Sequence, residues 1–309
     1  MLVILLLCIL SGCKGDAKNG NAAQRTTVAT TTGFSGDAAY NYAKAQVAFG
    51  PRVPGTPAAK QAGDWILRQM RARADTVIVQ SFTYTTADGK KLALRNILGR
   101  FRPELSNRVL YLTHWDSRPI SESATTEAEK KMPVPGANDG ASGVGMFVAL
   151  GDVLKKTKPV VGVDLLFTDG EDYGQFGPPD VDVLIGAKYF ATHLPSPGYK
   201  PMYGVLWDMI GDKDLRIPYE MNSFQQVPDV VSRVWQTAAD LGHADVFVQE
   251  SGGQITDDHM PLLNAGLRVI DVIDLTYPPH HTPYDTMDKI SAKSLGLVGD
   301  VATALVTRR

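Results

Sequence analysis

Acidic residues and histidines recur where apolar runs give way to loops: Thr113-His114-Trp115-Asp116, Ala137-Asn138-Asp139-Gly140, Asp169-Gly170-Glu171-Asp172, Trp207-Asp208 and His280-His281-Thr282. Imidazole and carboxylate groups converging from several segments are donors that a borderline cation such as zinc accepts, and thiolate is not required. Both cysteines, Cys8 and Cys13, lie at the extreme N-terminus, so the rest of the chain offers only nitrogen and oxygen donors. The donor set points to a zinc enzyme.

His114 and Asp116 stand two residues apart beyond an apolar run, where a carboxylate can fix the tautomer of a ligating imidazole. Asp139 lies between glycines that let backbone approach an ion, and it opens a helical pattern. Glu171 and Asp172 follow a buried run, and two adjacent carboxylates cannot both enter a dry interior without cations. In a loop they can divide the work, one ligating metal and the other reaching substrate as general acid/base. Asp208 ends the apolar Tyr203-Gly204-Val205-Leu206-Trp207, Asp257-Asp258-His259 follows the flexible Ser251-Gly252-Gly253, and His280-His281 sits in a Pro-rich loop. Taken singly, His114 reads equally as a loop histidine, Asp139 as a helix N-cap, and Glu171-Asp172 as a solvated pair. Their joint occurrence at loop after loop does not reduce to these.

The elements that must position them follow from periodicity. Helical spacing covers 37–48, 58–70, 139–154, 184–194, 229–241 and 291–305. Strand-like runs cover 76–84, 92–101, 109–112, 160–167, 203–207 and 267–273, the first two forming a hairpin across Asp88-Gly89. Residues 118–135, rich in Ser, Thr, Glu and Lys, read as an exposed excursion. Strands alternating with helices predict a three-layer α/β/α sandwich around a mixed, largely parallel sheet.

Composition narrows the class. The 309-residue chain is 44% hydrophobic and 21% charged, as in an ordinary globular protein, and its net charge of −2 gives no electrostatic reason to bind nucleic acid. No internal apolar stretch reaches the roughly 18 residues needed to span a bilayer. The N-terminus is different in kind: residues 2–10 are continuously apolar and run into Ser11-Gly12-Cys13. Such a segment reads as a signal peptide, with an uncleaved anchor as the alternative, and Leu10-Ser11-Gly12-Cys13 resembles a bacterial lipobox. No Lys or Arg precedes the apolar run, which departs from the usual pattern. The expected organisation is a signal peptide at 1–13 with Cys13 lipidated, a flexible tether at 14–33, and one catalytic domain at 34–309. This implies export to the periplasmic side of a bacterial membrane through a lipid anchor, with Lys14 favouring the outer membrane over the inner.

The succession His-x-Asp, Asn-Asp-Gly-Ala-Ser-Gly, Gly-Glu-Asp, Asp-Met-Ile-Gly, Asp-His and His-Thr-Pro resembles the zinc exopeptidases of the bacterial leucyl aminopeptidase type. Within that superfamily it also resembles the animal-type (type II) glutaminyl-peptide cyclotransferases. The likeness runs from about Tyr40 to the C-terminus. It implies that Asp139, Asp172 and His281 ligate a zinc ion, with His114 and Asp208 completing a second site in the aminopeptidases, where Asp139 bridges. One zinc is implied for a cyclotransferase and two for an aminopeptidase. Glu171 matches the general acid/base of both groups, and Asp172 stands where many relatives carry Glu.

Peptide or protein N-termini are the implied substrates, converted from glutamine to pyroglutamate with loss of ammonia, or hydrolysed. The doubled Asp257-Asp258 before His259 resembles the cyclotransferase version, in which Asp208 and Asp257 hold the amide. Against it, His280 stands where cyclotransferases carry a Trp that walls the substrate pocket; Trp115, Tyr173, Trp207 or Tyr277 are candidate substitutes. A catalytically inactive binding module is a minor alternative. A serine hydrolase is excluded by the lack of a Gly-x-Ser-x-Gly elbow.

Overall fold

In a computed structural model, residues 32–308 are described. The leader with Cys13, and all but the end of the tether, lie outside them. The elements run α1 (Gly36–Val47), α2 (Pro57–Arg71), β1 (Thr76–Thr85), β2 (Lys91–Phe101), β3 (Arg108–His114), α3 (Ala141–Lys156), β4 (Gly162–Thr168), α4 (Ile185–Thr192), β5 (Tyr203–Asp208), β6 (Ile217–Tyr219), α5 (Met221–Gln226), α6 (Pro228–Asp240), β7 (Phe247–Ser251), α7 (His259–Asn264), β8 (Val269–Ile273) and α8 (Ala292–Thr307).

The central sheet has six strands in the order β1-β2-β4-β3-β5-β8. The hairpin of β1 and β2 is antiparallel and joins β4 antiparallel, whereas β4, β3, β5 and β8 pair in parallel. This is the mixed, largely parallel sheet expected. Period-two alternation divides each central strand between two cores. Val109 and Tyr111 of β3, Val163, Leu165 and Phe167 of β4, and Tyr203, Val205 and Trp207 of β5 pack with α1, α2, α3, α6 and α8. Leu110, Leu112, Leu166 and Leu206 face α4 and α7. Both sheet faces are therefore covered, and the three layers follow.

Caps fix where several helices begin. Ser35, Thr56 and Ser291 each accept an amide N–H of the helix they precede, and Pro57 opens α2. α3 starts two residues later than expected: Gly140 holds its N-cap position and no side chain caps it, so the Asp139 carboxylate is free for other work. Gly143 lets α3 lie against the strand ends, since a Cβ there would fall 2.0 Å from Thr113 Oγ1.

Two expectations need correction. Residues 118–135 are not simply exposed: Arg118, Ser121, Ala124 and Val134 are buried, and a short 3-10 turn forms at Glu129–Lys131. The small parallel pair β6-β7 and the short helices α5 and α7 were not anticipated, being too brief to show a period.

Candidate metal centre and active site

The parallel strands deliver their loops to one edge of the sheet, the place where open α/β sheets bind ligands. β3 ends in His114, β5 in Asp208, and the turn after β4 carries Glu171 and Asp172. Asp139 arrives on the segment before α3, while His280 and His281 come from the loop before α8. His114 Nε2 lies 2.8 Å from Asp139 Oδ1 and 3.3 Å from Asp208 Oδ1. His281 Nε2 lies 3.6 Å from Asp139 Oδ2 and 3.4 Å from Asp172 Oδ1. His280 Nε2 is 4.0 Å from Asp139 Oδ2. Asp139 thus turns one oxygen toward His114 and Asp208 and the other toward the histidine pair.

Several of these atoms are buried without hydrogen-bond partners: both nitrogens of His114 and Oδ2 of Asp172. Buried polar atoms in native proteins are rarely left so, and a cation between them would satisfy them. The charge balance agrees. Burial opposes protonation of His114, yet Asp208, Asp116 and Asp139 raise its proton affinity well above that of free imidazole. Burial likewise opposes protonation of His281, but Asp172, Glu122 and Asp139 raise it to about 10. Asp139 is held below the usual carboxylate range because His114 and then His281 outweigh its burial. A field that draws a proton to each imidazole draws a divalent cation equally.

At other carboxyls of the centre the proton affinity is raised instead. Burial first, then the charge of Asp257, raises Glu171 well above the ordinary range. Burial, then Asp208 and Asp258, does the same to Asp257, while burial lifts Asp258 to about 7 against the hydroxyl bond it accepts from Thr168. One oxygen from each of Glu171, Asp257 and Asp258 falls within a 4.8 Å group. Asp116 stands 3.5 Å from His114 Nδ1, and its two oxygens also accept the amides of Glu171 and Asp172 at 3.1 and 3.2 Å. It therefore positions the acid pair as well as the imidazole.

A cavity of about 710 Å³ opens above these groups, lined by Asp139, Glu171, Asp172, Asp208, Asp257, His280 and His281, with Phe176, Met209, Ile255, Ile273 and Leu275 among its apolar walls. His280 is on the wall as expected. Trp207 is not: it shares its face of β5 with Val205, in the core on the α3 side, is fully buried, and packs edge-on to Tyr111 at 5.6 Å. Tyr173 is also absent from the wall, because it packs over Leu92, Leu94 and Ile185 and accepts a hydrogen bond from Lys90. Trp115 borders a different cavity, and Tyr277 is buried on Asp285. The aromatic ring on the wall is Phe176, in a Gly/Pro-rich segment that gave no sequence signal.

Further residues escaped the sequence reading. Asp285 accepts the amides of Asn138 and Asp139 and the hydroxyl of Tyr277, fixing the backbone that carries Asp139. Arg118 donates to Asp172 Oδ1 at 2.6 Å, and Glu122 lies 2.8 Å from His281 Nδ1. Their i, i+4 spacing was the single available clue.

The profile of peptidase family M28 matches residues 96–306. Among solved structures, glutaminyl cyclase from Bacteroides thetaiotaomicron bound to N-acetylhistamine is 34% identical, covers 89% of this chain and 98% of that one, and superposes with a TM-score of 0.86. A leucine aminopeptidase precursor from Bacteroides thetaiotaomicron VPI-5482 gives the same figures: 34% identity, 89% and 98% coverage, TM-score 0.86. Aminopeptidase YwaD of Bacillus subtilis is 25% identical over 271 residues, which cover 82% of this chain but about half, 51%, of that protein. With the donor geometry already in place, these likenesses settle the family: the chain is a zinc-dependent enzyme of peptidase family M28.

Proposed function

We propose that this enzyme is a glutaminyl-peptide cyclotransferase, converting N-terminal glutamine of peptides or proteins to pyroglutamate with release of ammonia. The observation that carries this reading is the grouping of Glu171 with Asp257 and Asp258 within 4.8 Å, with Glu171 and Asp257 both lining the cavity. Cyclisation needs a group that takes a proton from the attacking amine and returns it to the departing nitrogen, and neighbours that hold the carboxamide. No external water takes part.

Asp139, Asp172 and His281 would hold the zinc ion. Bound there, zinc supplies Lewis-acid polarisation of the glutamine side-chain carbonyl. Glu171 takes a proton from the α-amine as its nitrogen attacks Cδ. The new C–N bond closes the ring and the Cδ–Nε2 bond breaks. Glu171 hands the proton to the leaving nitrogen, which departs as ammonia. Asp208 and Asp257 orient the carboxamide, and the apolar wall with Phe176 keeps bulk water from competing.

The bridging attitude of Asp139, with His114 and Asp208 on one side and His281 on the other, favours a second reading. In that reading the enzyme is a two-zinc aminopeptidase, and Glu171 instead deprotonates the attacking water. Ammonia release from a Gln-initiated peptide, read by a coupled assay, tests the first reading; no ammonia from fully zinc-loaded enzyme rejects it.

The 1–13 leader supports a companion proposal of export and lipid attachment at Cys13, on the periplasmic face of the outer membrane. Among the described residues no helix is long and apolar enough to cross a membrane. Radiolabelled palmitate should be incorporated by the native chain and not by Cys13→Ala.

A further inference from the structure

Two of the candidate metal ligands reach the centre from unrelated places, Asp172 after β4 and His281 before α8. A third segment ties them together. The Glu122 carboxylate has its Oε1 2.8 Å from His281 Nδ1, and Arg118 Nε lies between its two oxygens, 2.6 Å from Oε1 and 2.7 Å from Oε2. Arg118 in turn donates from Nη1 to Asp172 Oδ1 at 2.6 Å. The Ser123 amide also donates to the His281 carbonyl at 3.1 Å. His281 needs this support, since its φ of +53° lies in the left-handed region that is unfavourable for a non-glycine residue.

The directions of these bonds matter as much as their number. A proton on His281 Nδ1 donates to Glu122, which leaves the Nε2 lone pair facing Asp139 and Asp172. Arg118 holds Asp172 Oδ1, the oxygen 3.4 Å from His281 Nε2, and leaves the buried, unpartnered Oδ2 as that residue's free ligand atom. The segment is itself closed into a loop, with Val134 N–H on the Arg118 carbonyl and Ser121 N–H on the Lys130 carbonyl. It is placed to hold a fixed geometry.

We propose that Glu122 is a positioning residue of the metal centre, which fixes the His281 tautomer directly and aligns Asp172 through Arg118, and so sets zinc affinity. The proposal rests on the assignment of Asp139, Asp172 and His281 as metal ligands, and the test separates the two. Zinc affinity is measured by chelator competition for the full chain, for Glu122→Gln and Glu122→Ala, and for Glu127→Gln. Glu127 belongs to the same segment but pairs with Lys130, with its side chain 83% exposed.

The zinc Kd should rise about 10- to 100-fold in the Glu122 variants, more for Ala than for Gln, as outer-shell partners of ligating histidines generally give. Glu127→Gln should match the native chain. The visible bands of the cobalt-loaded protein should shift with Glu122→Gln, whereas melting in excess chelator should barely change, because the Glu122 side chain is 38% exposed. A Kd within about twofold of native in both Glu122 variants would overturn the proposal while leaving the ligand assignment intact. A native chain that binds no zinc would overturn both.

Discussion

Asp285 gives a quantitative test of how the centre is built. Its side chain is fully buried and accepts three hydrogen bonds: Asn138 N–H at 2.8 Å, Asp139 N–H at 3.2 Å and Tyr277 O–H at 2.7 Å. Asp285→Ala leaves all three donors without a partner, and each unmet buried donor costs about 1–3 kcal/mol. Entry of water into the vacated space offsets part of that, giving a net loss of about 3–6 kcal/mol. Asp285→Asn keeps one acceptor oxygen for Asn138 and Tyr277 but turns an amide NH₂ toward the Asp139 N–H, for a loss of about 1–3 kcal/mol. For a chain of this length the unfolding entropy is about 0.6 kcal/mol per degree. The melting temperature should therefore fall by about 5–10 °C for Ala and about 2–5 °C for Asn. Calorimetry in excess chelator isolates this effect from metal binding. Alanine and native proteins melting within about 2 °C of each other would show that Asp285 does not hold the Asp139 backbone.

Three other outcomes are expected. Glu171→Gln should lower kcat by about 10²- to 10⁴-fold with zinc affinity unchanged; steady-state kinetics and chelator competition measure the two, and a kcat within tenfold of native would remove Glu171 from proton transfer. Asp258, whose folded pKa is raised to about 7 from 3.8, binds more protons folded than unfolded across that interval, so its stabilising contribution is greatest below about pH 4 and is lost as pH rises through 7. In chelator, Asp258→Asn should thus gain stability relative to native at pH 8 compared with pH 5, and an equal difference at both pH values would refute the assignment. Trp207→Phe should destabilise by about 1–3 kcal/mol without moving KM, whereas Phe176→Ala should raise KM with little change in melting; the reverse pattern would return Trp207 to the pocket wall.

Apolar runs made the sheet legible in advance, and helical periodicity its flanking helices. The central strands are buried on both faces and read as near-continuous apolar runs, and helices such as α2 and α6 show one apolar face over several turns. The donors that end those strands, His114 and Asp208, were legible for the same reason, since a charged residue closing an apolar run stands out. What failed lacked any period. The loop carrying Arg118 and Glu122 is mostly polar and shows no period, and its folding back onto Asp172 and His281 buries Arg118. Trp207 was misplaced because a residue next to Asp208 in sequence points to the opposite face of the strand. Asp285 sits in a Pro-rich turn where an aspartate is commonplace, and its amide partners lie almost 150 positions away.

Mass spectrometry of a Gln-initiated and a Leu-initiated peptide, incubated side by side with the zinc-loaded enzyme, tests the central claim most directly. A cyclotransferase leaves the Leu peptide intact and removes one ammonia from the Gln peptide, with that loss abolished by Glu171→Ala. Release of free leucine with the Gln peptide uncyclised would contradict the account and make the same carboxylate the base of an aminopeptidase.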